Sequence, residues 1–405
     1  MNTALLPSGA FTGLRVLDLG HVLAGPFAAT LLGDFGADVI KVERPGKGDS
    51  ARQLGPEGED GVAVWWRSLA RNKRSLGLDW TKPSGKAVLQ RLVSSSQVLV
   101  ENFRPGTFER HGLGPDVLFA WNPDLVFLRM SGYGQTGPYK DRPGFGKPAE
   151  GFSGVVHLTG ESDGPPMHAG FPLGDMSAGL MGAFGISMAL LAIARGLCRG
   201  QVIDLALYEA PMRLVDFHIP AHTGSDFRPA RNGNSQPMGL GLSSVVRSKN
   251  GRWITYSCAT FDTAKRVMGL VGGETLTQDP RFQTLPGVSE YEKFLNGLIA
   301  KWMVERDHIT ILREFLAVNA VAAEIYTADD ILADPQVAHR GNVVAIPGER
   351  IKVVGPVPQL SETPGRVRSL GPSRVGEQSK EVLKSVVGLE EEEVARLISE
   401  GVVQS

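Results

Sequence analysis

Asp175 stands in Gly170-Phe-Pro-Leu-Gly-Asp-Met-Ser-Ala-Gly179, a Gly- and Pro-rich run leading into a helix expected over Met176 to Ala194. At such a junction an aspartate can act simply as an N-cap, accepting from the first free backbone amides. The same position suits a carboxylate nucleophile, because those amides and the helix dipole favour its ionised form. The residues alone leave cap and nucleophile both open. Small residues at Gly179, Gly182, Ala183 and Ser187 require a close neighbour along that helix.

A second group of chemically capable residues lies early in the chain. Gly20-His-Val-Leu-Ala-Gly-Pro26 follows the first expected strand, where a nucleotide fold places its phosphate loop. It lacks the G-x-G-x-x-G spacing, which argues against a dinucleotide cradle and a nicotinamide-dependent dehydrogenase. Glu43 ends the second strand, and Arg44, Lys47 and Arg52 follow, a neighbourhood suited to a phosphorylated ribose or to a solvated charge run. Arg71, Lys73, Arg74, Arg104 and Arg110 extend the basic cluster. Gly132-Tyr-Gly-Gln-Thr-Gly-Pro138 is a further glycine loop at a strand end, followed by Arg142-Pro-Gly-Phe-Gly-Lys147. His21 reads as a loop donor, and His168 lies seven residues before Asp175. There is no Ser/His/Asp order, metal-ligand cluster or Walker loop.

The elements that position these residues follow from periodicity. Strands are expected at Leu14–Leu19 and Ala37–Glu43 with a helix between them over Phe27–Phe35, a βαβ unit that demands a parallel sheet. Gly85–Val93 reads as helix, and Gln97–Val100 and Leu125–Met130 as strands. Residues 1 to about 215 are therefore expected to form a doubly wound α/β domain. Residues 222–243 are loop-like. Val245–Arg247 and Arg252–Ser257 flank a Lys249-Asn-Gly251 hairpin signal, and helices are expected at Tyr291–Met303 and His308–Val318. This is a smaller α+β domain. Beyond it come a helix at Asp329–His339, an extended run at Val343–Gly371 and an amphipathic helix at Glu390–Gly401.

Composition sets outer limits. The 405 residues carry a net charge of −1, which gives no general attraction to nucleic acid, so an anionic ligand needs a local basic cluster. Fifty glycines imply many tight turns and close backbone approaches. Cys198 and Cys258 are too few for a disulfide framework and read as structural thiols of a reducing, cytoplasmic compartment. Met1–Thr12 lacks the features of a signal peptide, and the apolar stretch Leu180–Ala194 is shorter than the ~20 residues of a membrane span.

Taken together, the motifs resemble the family III (CaiB/BaiF) CoA-transferases, the group of formyl-CoA:oxalate and carnitine CoA-transferases. The matching stretches are Leu14–Leu19, His21–Pro26, Gly36–Arg44, Gly48-Asp49, Asn72–Ser75, Val100–Gly106, Gly132–Pro138 and Leu173-Gly-Asp175. Asp204–Ala210 and Leu332–Val337 match later signatures, and the small domain matches most weakly. The resemblance implies a large Rossmann-like domain from residues 1–220 and 327–405, a small α+β domain at 225–325, and an interlocked homodimer. It implies Asp175 as nucleophile, with CoA contacts at His21, Val22, Arg44, Asn72, Lys73, Arg74, Asn102, Phe103 and Arg110. Substrate or oxyanion candidates are Leu23, Gly134, Gln135, Phe145, Gly146 and Glu150. The expected partners are an acyl-CoA and a carboxylic acid, with CoA as substrate, no tightly bound cofactor and no metal.

Departures from the family pattern narrow the reaction. The family's racemases carry a Gly-His-Asp motif where this chain has Gly144-Phe-Gly146, so racemisation would need another base such as His168. Oxalate-specific members carry tyrosine and glutamate near Phe145 and Gly146, and glutamine at the place of Leu23. Oxalate is therefore not the expected acceptor. Many members have glutamine where Glu150 stands. Arg104 and Arg142 lean the reading toward a dicarboxylate such as succinate. A non-catalytic CoA-binding subunit is the reading from another class, and retention of Asp175 argues against it.

Overall fold

The structure, a computed structural model, describes residues 9–235 and 241–405; part of the expected 222–243 loop lies outside them. The chain divides into two compact units, one of residues 1–153, 170–215 and 336–405, the other of 154–169 and 216–335. The expected boundaries at 220, 225, 325 and 327 differ from these, and segment 154–169 goes with the second unit.

The first unit is a mixed α/β unit with a parallel-dominated sheet. Its strands are β1 (Arg15–Asp18), β2 (Asp38–Glu43), β3 (Lys73–Leu78), β4 (Val98–Glu101), β5 (Val126–Ser131) and β6 (Gln201–Ala206). They lie in the order β3-β2-β1-β4-β5-β6, all parallel, and the C-terminal strand Val403–Gln404 adds antiparallel to β3. Both chain ends thus build one sheet. The strand order reverses between β1 and β4, and in open α/β sheets the crevice at that switch holds the ligand.

Side-chain alternation along the strands feeds two cores. Leu17, Ile40, Leu76, Leu99 and Phe127 are buried on one face, and Val16, Val39, Val98, Val126 and Leu128 on the other. The helices are α1 (Ala24–Asp34), α2 (Val64–Leu69), α3 (Pro83–Ser94), α4 (Thr107–Arg110), α5 (Pro115–Trp121), α6 (Gly146–Phe152) and α7 (Leu173–Ala194). Leu89, Leu92 and Val93 of α3 join the first core, and Ala28, Ala29, Ala178 and Ile186 of α1 and α7 the second. The small residues of α7 have their expected neighbours. A methyl at Gly179 would come within 2.8 Å of the Phe27 ring, and one at Gly182 within 2.9 Å of Leu128. At 22 residues α7 is longer than the apolar stretch read from sequence, and by length and composition alone it could cross a membrane.

The second unit holds an antiparallel sheet of β7 (Ser243–Arg247), β8 (Trp253–Ser257) and β9 (Val321–Glu324). Helices Phe261–Thr277, Glu292–Val304 and His308–Ala317 cover a core that includes Ile254, Tyr256, Met303 and Phe315. The expected hairpin turns through Gly251 at φ +88°. The expected helix over Asp329–His339 is two helices, Ala328–Ala333 and Pro335–His339, because the residue before a proline is driven out of the helical region. Asp334 accordingly has ψ 127°.

Candidate active site

Asp175 lies in the first turn of α7 rather than at its cap; Pro172 takes the cap position with no side-chain bond. The turn is fixed by two glycines. A methyl at Gly146 would collide with the Asp175 carboxylate, and one at Gly174 would sit 2.7 Å from the Gly146 carbonyl oxygen. The starts of α6 and α7 therefore touch backbone to backbone, which only glycine permits. Gly132 and Gly144 repeat the device beside them, since a methyl on Gly132 would stand 2.6 Å from Gly144 Cα.

Beneath Asp175 lies Glu150, fully buried, accepting from the Gly174 amide at 3.2 Å and from Lys147 Nζ at 3.1 Å. Burial first, and the Glu150 charge second, raise the Asp175 carboxyl to about 6, against its own backbone amide and Lys147. The helix start was expected to hold this group low, and desolvation overrides it. Above pH 6 the carboxylate is mostly ionised and more basic than an ordinary aspartate, which favours nucleophilic attack.

Asp175 faces a cavity lined by His21, Val22, Asn102, Phe103, Arg104, Met130, Ser131, Gly132, Arg142, Gly144 and Phe145, among others. His21 and Phe103 also wall a neighbouring cavity lined by Arg44, Lys47, Gly48, Leu78, Asp79, Trp80, Thr81, Thr107 and His111. Both open beyond the ends of β1 to β5, spanning the switch between β1 and β4. Asn102 ties the two sides of that switch: its side chain accepts from the His21 amide at 2.7 Å and donates to the His21 carbonyl at 2.8 Å. The His21 ring packs edge-on against Phe103, 5.2 Å between centroids, and burial together with Lys41 lowers its pKa, favouring the neutral imidazole.

The first loop rests on a buried charge network. Lys41 is fully buried and pairs with Asp49 at 3.0 Å and Asp18 at 3.7 Å, and its ammonium also donates to the Gly20 carbonyl. Asp49 in turn accepts from the Val22 amide at 3.0 Å. Val22 has φ +65°, which a β-branched residue adopts only under constraint.

The candidates read from sequence do not all gather here. His21, Val22, Asn102, Phe103, Phe145 and Asp175 line the first cavity and Arg44 the second, while Gly146 and Glu150 support Asp175 from below. Arg110 is exposed at the end of α4, donating to Thr107 Oγ1 at 3.1 Å, next to the second cavity without lining it. Leu23 is buried in a cluster with Trp66 and Leu69. Gly134 and Gln135 turn toward Asp204, which accepts from the Gln135 amide at 2.9 Å.

Asn72, Lys73 and Arg74 stand apart from both cavities, Asn72 just before β3 and Lys73 and Arg74 at its start. Lys73 is buried on Asp18 at 2.8 Å, Asn72 binds Asp34 and the backbone at Arg366 and Arg368, and Arg74 pairs with Asp38 and Glu381. The far end of the same strand, Leu78 to Thr81, reaches the cavity instead, a segment sequence reasoning passed over.

The chain belongs to CoA-transferase family III, whose family model matches residues 11–379. It is a CoA-transferase, moving CoA between an acyl-CoA thioester and a free carboxylic acid. Its similarities include the succinyl-CoA–D-citramalate CoA-transferase of Chloroflexus aurantiacus, 38% identical over 98% of this chain and 99% of that one. The beta subunit of the succinyl-CoA–L-malate CoA-transferase of the same organism is 39% identical, covering 99% of both chains. Among solved structures, a CAIB/BAIF family protein from Brucella suis superposes with a TM-score of 0.83 at 29% identity, covering 94% of this chain and all of that one.

Proposed function

We propose that Asp175 is the nucleophile of a succinyl-CoA-dependent transferase acting on a dicarboxylic acceptor. An Asp175 oxygen attacks the thioester carbonyl carbon, and the oxyanion collapses to an aspartyl–succinyl anhydride, expelling CoA thiolate. The thiolate then attacks the aspartyl carbonyl, releasing succinate and leaving an enzyme–CoA thioester. The acceptor carboxylate attacks that thioester, and the returning thiolate resolves the second anhydride on the acceptor's acyl carbon, freeing Asp175. Each hard exchange becomes two easier ones.

The observation that carries this reading is the meeting of a desolvated carboxylate with the His21–Phe103 wall shared by two neighbouring cavities. CoA would lie across that wall, its acyl end beside Asp175 and its phosphorylated ribose by Arg44 and Lys47. Arg104 and Arg142 line the Asp175 cavity, with Arg142 stacked 3.6 Å over Tyr139, and would hold the distal carboxylate by charge-assisted bonds. The succinyl, citramalate and malate groups in the relatives' names share that second carboxylate. Steady-state kinetics with succinyl-CoA and L-malate test the reading. Arg142→Ala should raise KM for succinyl-CoA about tenfold and leave that for propionyl-CoA unchanged; equal effects on both would remove the dicarboxylate assignment.

We also infer a homodimer working in the cytoplasm. Leu180, Phe184, Met188 and Leu191 form one stripe along α7, each more than half exposed, and a second interlocked copy is the occupant that the family resemblance supplies. Cys198 and Cys258 are both free thiols, in keeping with a reducing compartment.

A further inference from the structure

Ser131 closes β5 and stands 7% exposed, yet its hydroxyl has no hydrogen-bond partner among the described residues. Its carbonyl is satisfied, accepting from the Leu207 amide at 2.8 Å. Leaving a buried hydroxyl unmatched costs on the order of 1–3 kcal/mol, so a group in that state calls for a reason. The reason suggested by its position is the cavity it lines together with Asp175 and Gly132. The neighbouring Gly132–Gly144 contact brings backbone, without side chains, up to the same wall.

We propose that the Ser131 hydroxyl donates a hydrogen bond to the acyl oxygen as Asp175 attacks it. This rests on Asp175 being the nucleophile. In that step the new C–O bond to Asp175 forms, the carbonyl π pair moves onto the acyl oxygen, and Ser131 shares its proton with that oxygen without transferring it. When the C–S bond breaks, the pair returns and CoA leaves as thiolate. A donor preorganised for developing charge acts mainly on kcat, whereas a contact made equally to bound substrate acts on KM.

Ser131→Ala and Ser131→Cys in the full chain, assayed with succinyl-CoA and L-malate, test the assignment. Ser131→Ala should lower kcat about 10²-fold, the usual loss for one oxyanion donor, with KM for succinyl-CoA little changed. Its melting temperature should stay level or rise, because an unmatched buried hydroxyl has gone. Ser131→Cys, close in volume and a weak donor, should fall between wild type and alanine, and it carries the test if the alanine variant does not fold. A kcat within threefold of wild type in Ser131→Ala, a kcat in Ser131→Cys equal to that of wild type, or a rise in KM alone, would overturn the proposal. Hydroxylamine trapping separates this from the parent reading. An unlabelled wild type sinks Asp175 as nucleophile, whereas a labelled wild type matched in rate by Ser131→Ala sinks Ser131 only.

Discussion

At the scale of the residue, the carboxyl of Asp175 is set by its surroundings more than by its place on a helix. With its pKa near 6, the acid limb of kcat/KM should fall through about pH 6. Glu150→Gln removes a neighbouring negative charge, so that limb should move to lower pH; an unmoved limb would show that Glu150 does not tune the nucleophile. The same shift has a stability consequence. A carboxyl raised in the folded state disfavours folding once ionised, so its contribution worsens as pH rises from the ordinary aspartate range through 6. Asp175→Asn should therefore be inactive yet more stable at pH 8 by about 3 kcal/mol, a gain that shrinks as pH falls from 6 and is gone below about pH 4, as thermal melts across pH would record. Asp175 stood out in the sequence because glycine, proline and a following helix frame it, although that framing fits a cap as well as a nucleophile. Ser131 was not, since a serine at a strand end looks ordinary until its burial and lack of a partner are known.

At the scale of the element, the loop after β1 and the junction of α6 with α7 carry the geometry. The loop holds Val22 at positive φ through Asp49, which Lys41 fixes from below. Asp49→Ala would strip the buried Lys41 of its nearest carboxylate, and breaking such pairs costs roughly 3–5 kcal/mol. Denaturant unfolding should show that loss together with a raised KM for acyl-CoA. Gly146→Ala should leave the fold intact by circular dichroism and cut kcat at least 10²-fold, because the added methyl displaces the Asp175 carboxylate; wild-type turnover would contradict the contact. Strands β1, β2, β4 and β5 and helices α1, α3 and α7 were readable from periodicity, whereas β6 was not. The start of β3 was not, because Asn72-Lys-Arg74 reads as a polar run and becomes interior only when Asp18, Asp34 and Asp38 meet it from other segments. The short strand β9 gave no alternation to read.

At the scale of the whole molecule, the parallel sheet and its switch point place two cavities side by side, sharing His21 and Phe103. Arg44 and Lys47 line the one away from Asp175. Arg44→Ala should weaken CoA binding about tenfold by calorimetry and leave 3′-dephospho-CoA nearly unaffected, as loss of one charge-assisted phosphate contact would. Equal weakening of both ligands would move the phosphorylated ribose elsewhere. The proposed dimer would cover the apolar stripe of α7: Phe184→Asp should reduce or abolish the soluble dimer seen by light scattering, and a monomeric wild type would refute the interlocked pair. A parallel sheet was inferable from the βαβ pattern, while the grouping of 154–169 with 216–335 depends on contacts that no local pattern encodes.

The central claim is covalent chemistry at Asp175, and intact-protein mass after mixing with succinyl-CoA, followed by hydroxylamine and peptide mapping, tests it most directly. A CoA adduct converted to a hydroxamate on Asp175, absent from Asp175→Ala, is the result expected. Rapid CoA exchange in wild type with no adduct on any residue, or full activity in Asp175→Ala, would contradict it.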